Sequence, residues 1–130
     1  MSRYVRVSAT ALRSLDEVAA GLLQLGLPMQ RSRRPVMLEG SLECAGEPVD
    51  LRLPSGTLGS VEDFGFVRSE TGPVLVCGEY DRELLEQTLL APLHRAVTEL
   101  RVRRAAAEAG LQIEQTNEVD GQRRIVLRRR

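Results

Sequence analysis

The sequence predicts an α+β fold: a single antiparallel or mixed sheet with two helices packed on one face. Two observations carry this prediction. Two segments place apolar residues at the three- and four-residue steps of a helix, and seven shorter segments have the alternation or composition of strands between turn residues. Their order, β-α-β-β-β-β-α-β-β, is typical of a sheet that carries its helices on one side.

The first strand and the first helix are predicted near the N-terminus. Tyr4 to Val7 alternates apolar and polar residues. Ser14-Leu15-Asp16-Glu17 has the pattern of a capping box, in which Ser14 and Glu17 satisfy each other's backbone N–H groups. Apolar residues then recur at helical spacing until Gly26 and Pro28, which end the helix. The next segment, Arg31-Ser32-Arg33-Arg34-Pro35, is expected to be a basic connector.

The central region reads as four short strands. Val36 to Leu42 and Val49 to Leu53 are the first two. Val61 to Ser69 and Val74 to Tyr80 are expected to form a hairpin through the turn residues between them. The stretch from Pro54 to Ser60 is predicted to be a loop.

A long helix is predicted to begin at Asp81, whose carboxylate would accept hydrogen bonds from the backbone N–H groups two and three residues further on. Pro92 predicts a kink, or two abutting helices with Pro92 in the first turn of the second. Gly110 supplies the left-handed stop. The residues expected on the buried face are Leu85, Leu89, Leu93, Ala96, Val97, Leu100, Arg104 and Ala107.

A hairpin is predicted after this helix. Leu111 and Ile113 alternate with polar residues, as do Ile125 and Leu127, and Asp120-Gly121 between them is a strong turn signal. The final strand is expected at a sheet edge, where its arginines would discourage indiscriminate pairing.

Length and composition indicate one soluble domain spanning residues 1–130. The chain is 42% hydrophobic and 28% charged, with 3% aromatic residues, so the core must be aliphatic. Two cysteines, Cys44 and Cys77, and no pattern of a secretory signal predict a cytoplasmic protein with free thiols. The longest uncharged run, Val18 to Gln30, is too short for a membrane helix, so no membrane association is expected.

The charges are balanced in total and uneven along the chain. Residues 1–38 hold six Arg and two acids, residues 39–86 hold three Arg and eleven acids, and residues 87–130 hold nine Arg and five acids. The three segments therefore carry +4, −8 and +4. This layout suits head-to-tail association or a charged protein partner if folding keeps the segments apart, and mutual neutralisation if folding interleaves them.

No stretch predicts catalysis, a cofactor or a metal site. Gly56 to Ser60 has the small residues of a phosphate-binding loop but lacks its lysine and its strand-to-helix context, so a connecting loop is expected. Cys77 and His94 are candidates for a thiolate–imidazole pair only if the fold brings them together. One histidine and two distant cysteines do not make a zinc site. The acids at positions 79–86 lack the spacing of a calcium loop.

Arginine clusters are the candidate contact residues. We predict partner binding through Arg31, Arg33, Arg34, Arg123, Arg124, Arg128, Arg129 and Arg130. A further cluster, at positions 101, 103 and 104, could join them in binding nucleic-acid phosphates. The zero net charge and the four scattered aromatic residues favour solvated faces and salt bridges over that alternative.

Several stretches of the chain resemble the family known as hypothetical chloroplast open reading frame thirty-five, from cyanobacteria, plastids and other bacteria. The stretches that carry the resemblance are Met1-Ser2-Arg3-Tyr4, Leu25-Gly26, Gly65-Phe66, Ala109-Gly110-Leu111-Gln112-Ile113 and Asp120-Gly121-Gln122-Arg123-Arg124-Ile125-Val126-Leu127. The family has no established activity. The resemblance implies an accessory protein with a protein partner, and AAA+ ATPases are one class of partner that it implies.

The sequence thus predicts a binding or assembly protein that is not an enzyme and that meets a protein partner or a second copy of itself. Its contacts are expected along Arg-rich strand edges and the acidic central hairpin. Nucleic-acid binding through the arginines is one alternative. A small-ligand or cysteine-based enzymatic role centred on Cys77 and His94 is another.

Overall fold

The computed structural model describes residues 3–9, 11–40, 46–119 and 122–129. From residue 111 onwards it describes the backbone and, of the side chains, that of Ile125. The strands are β1 (Tyr4–Ser8), β2 (Gln30–Met37), β3 (Pro48–Leu53), β4 (Phe64–Ser69), β5 (Gly72–Gly78), β6 (Leu111–Val119) and β7 (Gln122–Arg129). The helices are α1 (Leu15–Gln24), α2 (Arg82–Leu85) and α3 (Ala91–Glu108), and a π-helical turn, Glu86–Leu90, joins α2 to α3.

Five strands form an antiparallel sheet in the order β1-β5-β4-β3-β2. One cross-strand row runs through Val7, Leu75, Phe66 and Leu51, which places these apolar residues on one face. The two remaining described strands, β6 and β7, pair with each other in a separate two-stranded sheet. The α+β fold class and the order of strands and helices are therefore confirmed.

The helices pack on one face of the five-stranded sheet. The main core joins α1 and the long helical segment to the inward residues of β3, β4 and β5, and Val18, Leu22, Leu89, Leu93 and Phe66 are among its fully buried members. A smaller cluster, Tyr4, Leu38, Val49 and Val76, lies apart from this core and contains no helix residue. The prediction that both helices lie on one face is therefore confirmed.

The long helix starts after Asp81 and stops at a left-handed Gly110 as predicted, but its N-terminal cap and the last part of its buried face differ from the prediction. Pro92 lies in the first turn of α3. The N–H of Ala91 donates a hydrogen bond to the carbonyl of Glu86 across the π-helical turn. Asp81 does not cap the helix: its side chain makes no capping bond. From Leu85 to Val97, the residues predicted to be buried are buried. Arg104 and Ala107 are exposed, and Ala106 is buried instead.

The basic connector is the clearest error of the sequence prediction. Residues 31–35 belong to β2, which begins at Gln30 and ends at Met37, before most of the strand predicted from Val36 to Leu42. The predicted turn dipeptide Asp120-Gly121 lies outside the described residues, as do Cys44 and Arg130.

Candidate functional site: the arginine-lined edge of β2

Strand β2 is an edge of the five-stranded sheet. It pairs with β3 on one side, and no described strand lies on its other side. Its residues are exposed along nearly the whole length, with Val36 half-buried. The pairing with β3 has a register shift between Arg31 and Val36, so the middle of β2 departs from a regular ladder. The strand therefore presents backbone N–H and C=O groups to solvent.

Three arginines lie on this edge. Arg31 donates a hydrogen bond from Nη2 to Asp16 Oδ1 at 2.6 Å, and the Asp16 side chain is 84% exposed. The guanidinium groups of Arg33 and Arg34 make no ion pair with any described residue. The backbone N–H of Arg34 donates to Ser32 Oγ at 3.3 Å. Within the part of the chain that the structure describes, two of the three predicted contact residues in this segment therefore have no anionic partner.

A buried carboxylate fixes the chain where it leaves β2. Asp63 is 2% exposed and accepts hydrogen bonds from the backbone N–H groups of Glu39 at 2.7 Å and Gly40 at 3.1 Å. Tyr4 Oη donates to it at 2.5 Å and Arg52 Nε at 2.9 Å. Burial alone would raise the pKa of Asp63, but these hydrogen bonds outweigh it and the pKa lies below its ordinary value.

An ion pair fixes the start of α1 near the same edge. Both oxygens of the Glu17 carboxylate accept from the guanidinium of Arg101 on α3, and this hydrogen bonding lowers the pKa of Glu17. Ser14 Oγ accepts from the N–H of Glu17 at 3.2 Å, as the capping box predicts. The return bond goes to the N–H of Arg13, at 2.9 Å, rather than to that of Ser14. The pair joins α1 to α3 and so sets the position of Asp16, the partner of Arg31.

The C-terminal arginines are on a different sheet. Arg123, Arg124, Arg128 and Arg129 belong to β7, whose partner is β6, so the predicted contact residues are divided between two separate sheets. The side chains of these four residues lie outside the part of the chain that the structure describes.

The acidic central hairpin is not a free acidic surface. Glu62, Asp63 and Asp81 are each at most 9% exposed. Asp81 accepts from the N–H groups of Val61 at 2.8 Å and Glu62 at 2.9 Å, which is why it does not cap the helix. Glu79 pairs with Arg3 across 3.5 Å. Part of the acidic charge of the middle segment is therefore used inside the fold, by Asp63 and Asp81, and Glu79 is used in an ion pair at the surface.

The other candidates receive no support from their surroundings. Cys77 is fully buried and burial raises the pKa of its thiol to about 12, whereas His94 is exposed on α3, so a thiolate–imidazole pair is disfavoured. In the loop from Pro54 to Ser60, Thr57 Oγ1 donates to the carbonyl of Pro54 at 2.7 Å, so this hydroxyl is used within the loop. Within the described ranges, no group of three or more His, Cys, Asp or Glu side chains could hold a metal ion.

Among the exposed large apolar residues of the described ranges, Met37 lies on β2 with the arginines and is 56% exposed, whereas Tyr80 lies elsewhere. Tyr80 is 77% exposed and follows β5, which β4 and β3 separate from β2. Across the described helices, none is both long and apolar enough to cross a lipid bilayer. Comparison with protein-family models, curated proteins and solved structures gives no match for this chain.

Proposed function

We propose that this protein is a non-enzymatic binding protein that docks an extended, acidic segment of a protein partner along the free edge of β2. One observation carries the proposal: an exposed edge strand holds three arginines, and two of them have no ion pair among the described residues. The edge offers main-chain hydrogen bonds to an added strand. The arginines offer a charge that selects acidic segments.

The same features restrict which segments can bind. Arginines and Pro35 on an edge strand discourage pairing with apolar strands, because a charged side chain would lose water without gaining a partner. A segment with carboxylates at alternate positions lowers this cost, because its acids share one face of the added strand and can pair with arginines on that face. The edge is therefore selective for an acidic segment.

Nucleic acid is a weaker candidate for this surface. Proteins that bind single strands without sequence preference stack bases on aromatic side chains. Of the four aromatic residues, Tyr4, Phe64 and Phe66 are buried, and Tyr80 lies beyond two intervening strands from β2. The family resemblance makes AAA+ ATPases the first class of protein in which to look for the partner segment.

The test is a binding titration monitored by fluorescence anisotropy. The ligand is a labelled peptide that has the length of β2 and alternates Glu with Val. Arg33→Glu/Arg34→Glu should weaken binding by at least about tenfold, because each like charge repels the peptide where an opposite charge had attracted it. The matched control is Arg95→Glu/Arg104→Glu on α3, which makes the same change in charge at two exposed positions. This control should bind within about twofold of the parent protein.

A second peptide tests the main-chain pairing. Methylation of alternate backbone nitrogens removes the donors that a strand needs and leaves the carboxylates in place. We expect the methylated peptide to lose binding. Two results would overturn edge docking in favour of diffuse charge attraction. One is equal binding of the methylated and the unmethylated peptide, and the other is an equal loss of affinity in the β2 and the α3 double variants. Tighter binding of a single-stranded DNA oligonucleotide than of the acidic peptide would favour the nucleic-acid alternative.

A further inference from the structure

A cleft beside β2 is lined by arginines from three distant parts of the chain. Arg13 precedes α1, Arg31 lies in β2, and Arg68 lies in β4. The cleft has a volume of about 290 Å³. A neighbouring depression of about 460 Å³ shares Arg31 and Arg68 and adds Arg33. The fold thus brings four arginines to the cleft and the depression beside the edge proposed for docking.

The charge of this cleft is positive. Two acids, Asp16 and Asp50, line the cleft and the neighbouring depression, respectively, against the four arginines, which leaves a formal charge of +2. Asp16 is engaged by Arg31, and Asp50 accepts from the backbone N–H of Arg68 at 3.0 Å. The guanidinium of Arg68, like that of Arg33, has no hydrogen bond or ion pair with a described residue. An incoming anion could therefore bind both groups without breaking an existing pair.

Backbone hydrogen bonds hold the wall that carries Arg68. Asp50 fixes the N–H of Arg68, and Ser69 Oγ donates to the carbonyl of Gly72 at 2.6 Å, which closes the turn between β4 and β5. The opposite wall is the start of α1, which Glu17 and Arg101 tie to α3. Walls fixed in this way lower the entropic cost of ordering the cleft around a ligand.

From these observations we infer that the cleft binds a phosphate monoester carried by the partner segment on β2, so that the partner is recognised as a phosphorylated protein. The inference rests on the proposed docking at β2. A single carboxylate needs one guanidinium, whereas a phosphate dianion has three acceptor oxygens and matches a lining of several arginines with a net charge of +2. Arg31 and Arg33 belong to the docking edge and also line the depression, and Arg31 lines the cleft as well, so one segment can reach both the edge and the cleft.

The experiment compares two acidic peptides that are identical except for one Ser, which is phosphorylated in the first and free in the second. We expect the phosphorylated peptide to bind at least about tenfold more tightly, because charge-assisted bonds to phosphate are the strong ones. Arg68→Gln should reduce that preference to near unity and leave binding of the free-Ser peptide within about twofold, since Arg68 lies outside β2. Arg95→Gln on α3 is the matched control and should keep the full preference.

The outcomes separate this inference from the proposed function. Equal affinity for both peptides overturns the phosphate inference while docking at β2 stands. A phosphate preference that survives in Arg68→Gln also overturns it, because the phosphate would then bind elsewhere. A third outcome is that inorganic phosphate binds, as measured by amide shifts at residues 68 and 69, while neither peptide binds. This outcome overturns both the docking at β2 and the assignment of the phosphate to a partner.

Discussion

At the level of single residues, Asp63 determines the path of the chain after β2. Glu39 and Gly40 follow β2 and do not pair with any described strand. Their N–H groups donate to the Asp63 carboxylate instead. It also neutralises Arg52, a side chain that is 16% exposed. A buried carboxylate with this many donors is costly to remove, because every donor is left without an acceptor.

We predict that Asp63→Asn lowers the free energy of unfolding by about 3 kcal/mol, because it removes the buried carboxylate that pairs with Arg52, leaves Arg52 only its longer contact with Glu39, and places an amide N–H₂ among donors. Urea unfolding at neutral pH measures this change. The control is Asp16→Asn, which removes an exposed partner of Arg31 and should cost less than about 1 kcal/mol. Equal losses in the two variants would contradict the role assigned to Asp63.

The same carboxylates predict a dependence of stability on pH. The hydrogen bond from Arg101 lowers the pKa of Glu17 below its ordinary value of 4.5, and hydrogen bonds lower that of Asp63 below 3.8 despite burial. Because both pKa values are lower in the folded chain, the unfolded chain binds more protons in acid. Their stabilisation is therefore fully present above the ordinary carboxyl range and is lost as the pH falls through the lowered folded-state values.

Urea unfolding at a series of pH values checks this expectation. Stability should fall steadily from about pH 5 downwards, and Asp63→Asn should show a shallower fall because one of the two titrating groups is gone. An unchanged slope in the variant would mean that Asp63 does not contribute to the acid sensitivity.

At the level of secondary structure, the buried elements could be predicted from the sequence and the exposed strand could not. Leu85, Leu89 and Leu93 keep helical spacing because one face of their helix is buried. β2 is exposed along its length, so no alternation of apolar residues marks it, and its arginines resemble those of a connector. Asp81 illustrates a second reason: its local context indicates a helix cap, but its partners lie 19 and 20 residues away.

Gly65 in β4 tests the packing of the central sheet. A Cβ at this position would collide with the backbone carbonyl oxygen of Leu51 and lie 2.9 Å from Val49 Cγ2. We predict that Gly65→Ala costs at least about 2 kcal/mol of unfolding free energy, because a central strand cannot shift without breaking its ladder. Thermal and urea unfolding measure the loss.

Gly21→Ala in α1 is the matched control for Gly65→Ala. Its Cβ would meet the side-chain ends of Leu93 at 2.6 Å and Val97 at 2.8 Å, which can turn aside more readily than a backbone carbonyl. The change also gains about 1 kcal/mol of helix propensity. A larger loss for Gly21→Ala than for Gly65→Ala would show that the helix contact, and not the sheet, is the tighter one.

At the level of the whole molecule, folding interleaves the charged segments only in part. Arg3 pairs with Glu79 and Arg6 with Glu47, which joins the basic N-terminal segment to the acidic middle. Arg33 and Arg34 are left out of this neutralisation among the described residues. The charge count therefore predicted the basic segments, whereas the choice of free arginines depends on contacts between residues far apart in the chain.

Free arginines on an edge strand should also keep the protein from pairing with itself. We predict that Arg33→Val/Arg34→Val leaves the circular dichroism spectrum unchanged and raises the mass measured by light scattering as protein concentration increases, because an apolar edge pairs with other edges. Arg95→Val/Arg104→Val on α3 is the control and should keep the mass of the parent protein. A constant mass in the β2 variant would contradict this protective role.

The bonds of Asp81 have a consequence for local unfolding. Its carboxylate holds the N–H groups of Val61 and Glu62, and its own backbone leads directly into α2. Opening of the loop before β4 therefore requires one of two events. Either these two bonds break, or the start of the long helix opens with the loop. The two amides belong to a loop by their backbone geometry, yet we expect them to exchange with solvent together with a helix that begins 21 and 20 residues later.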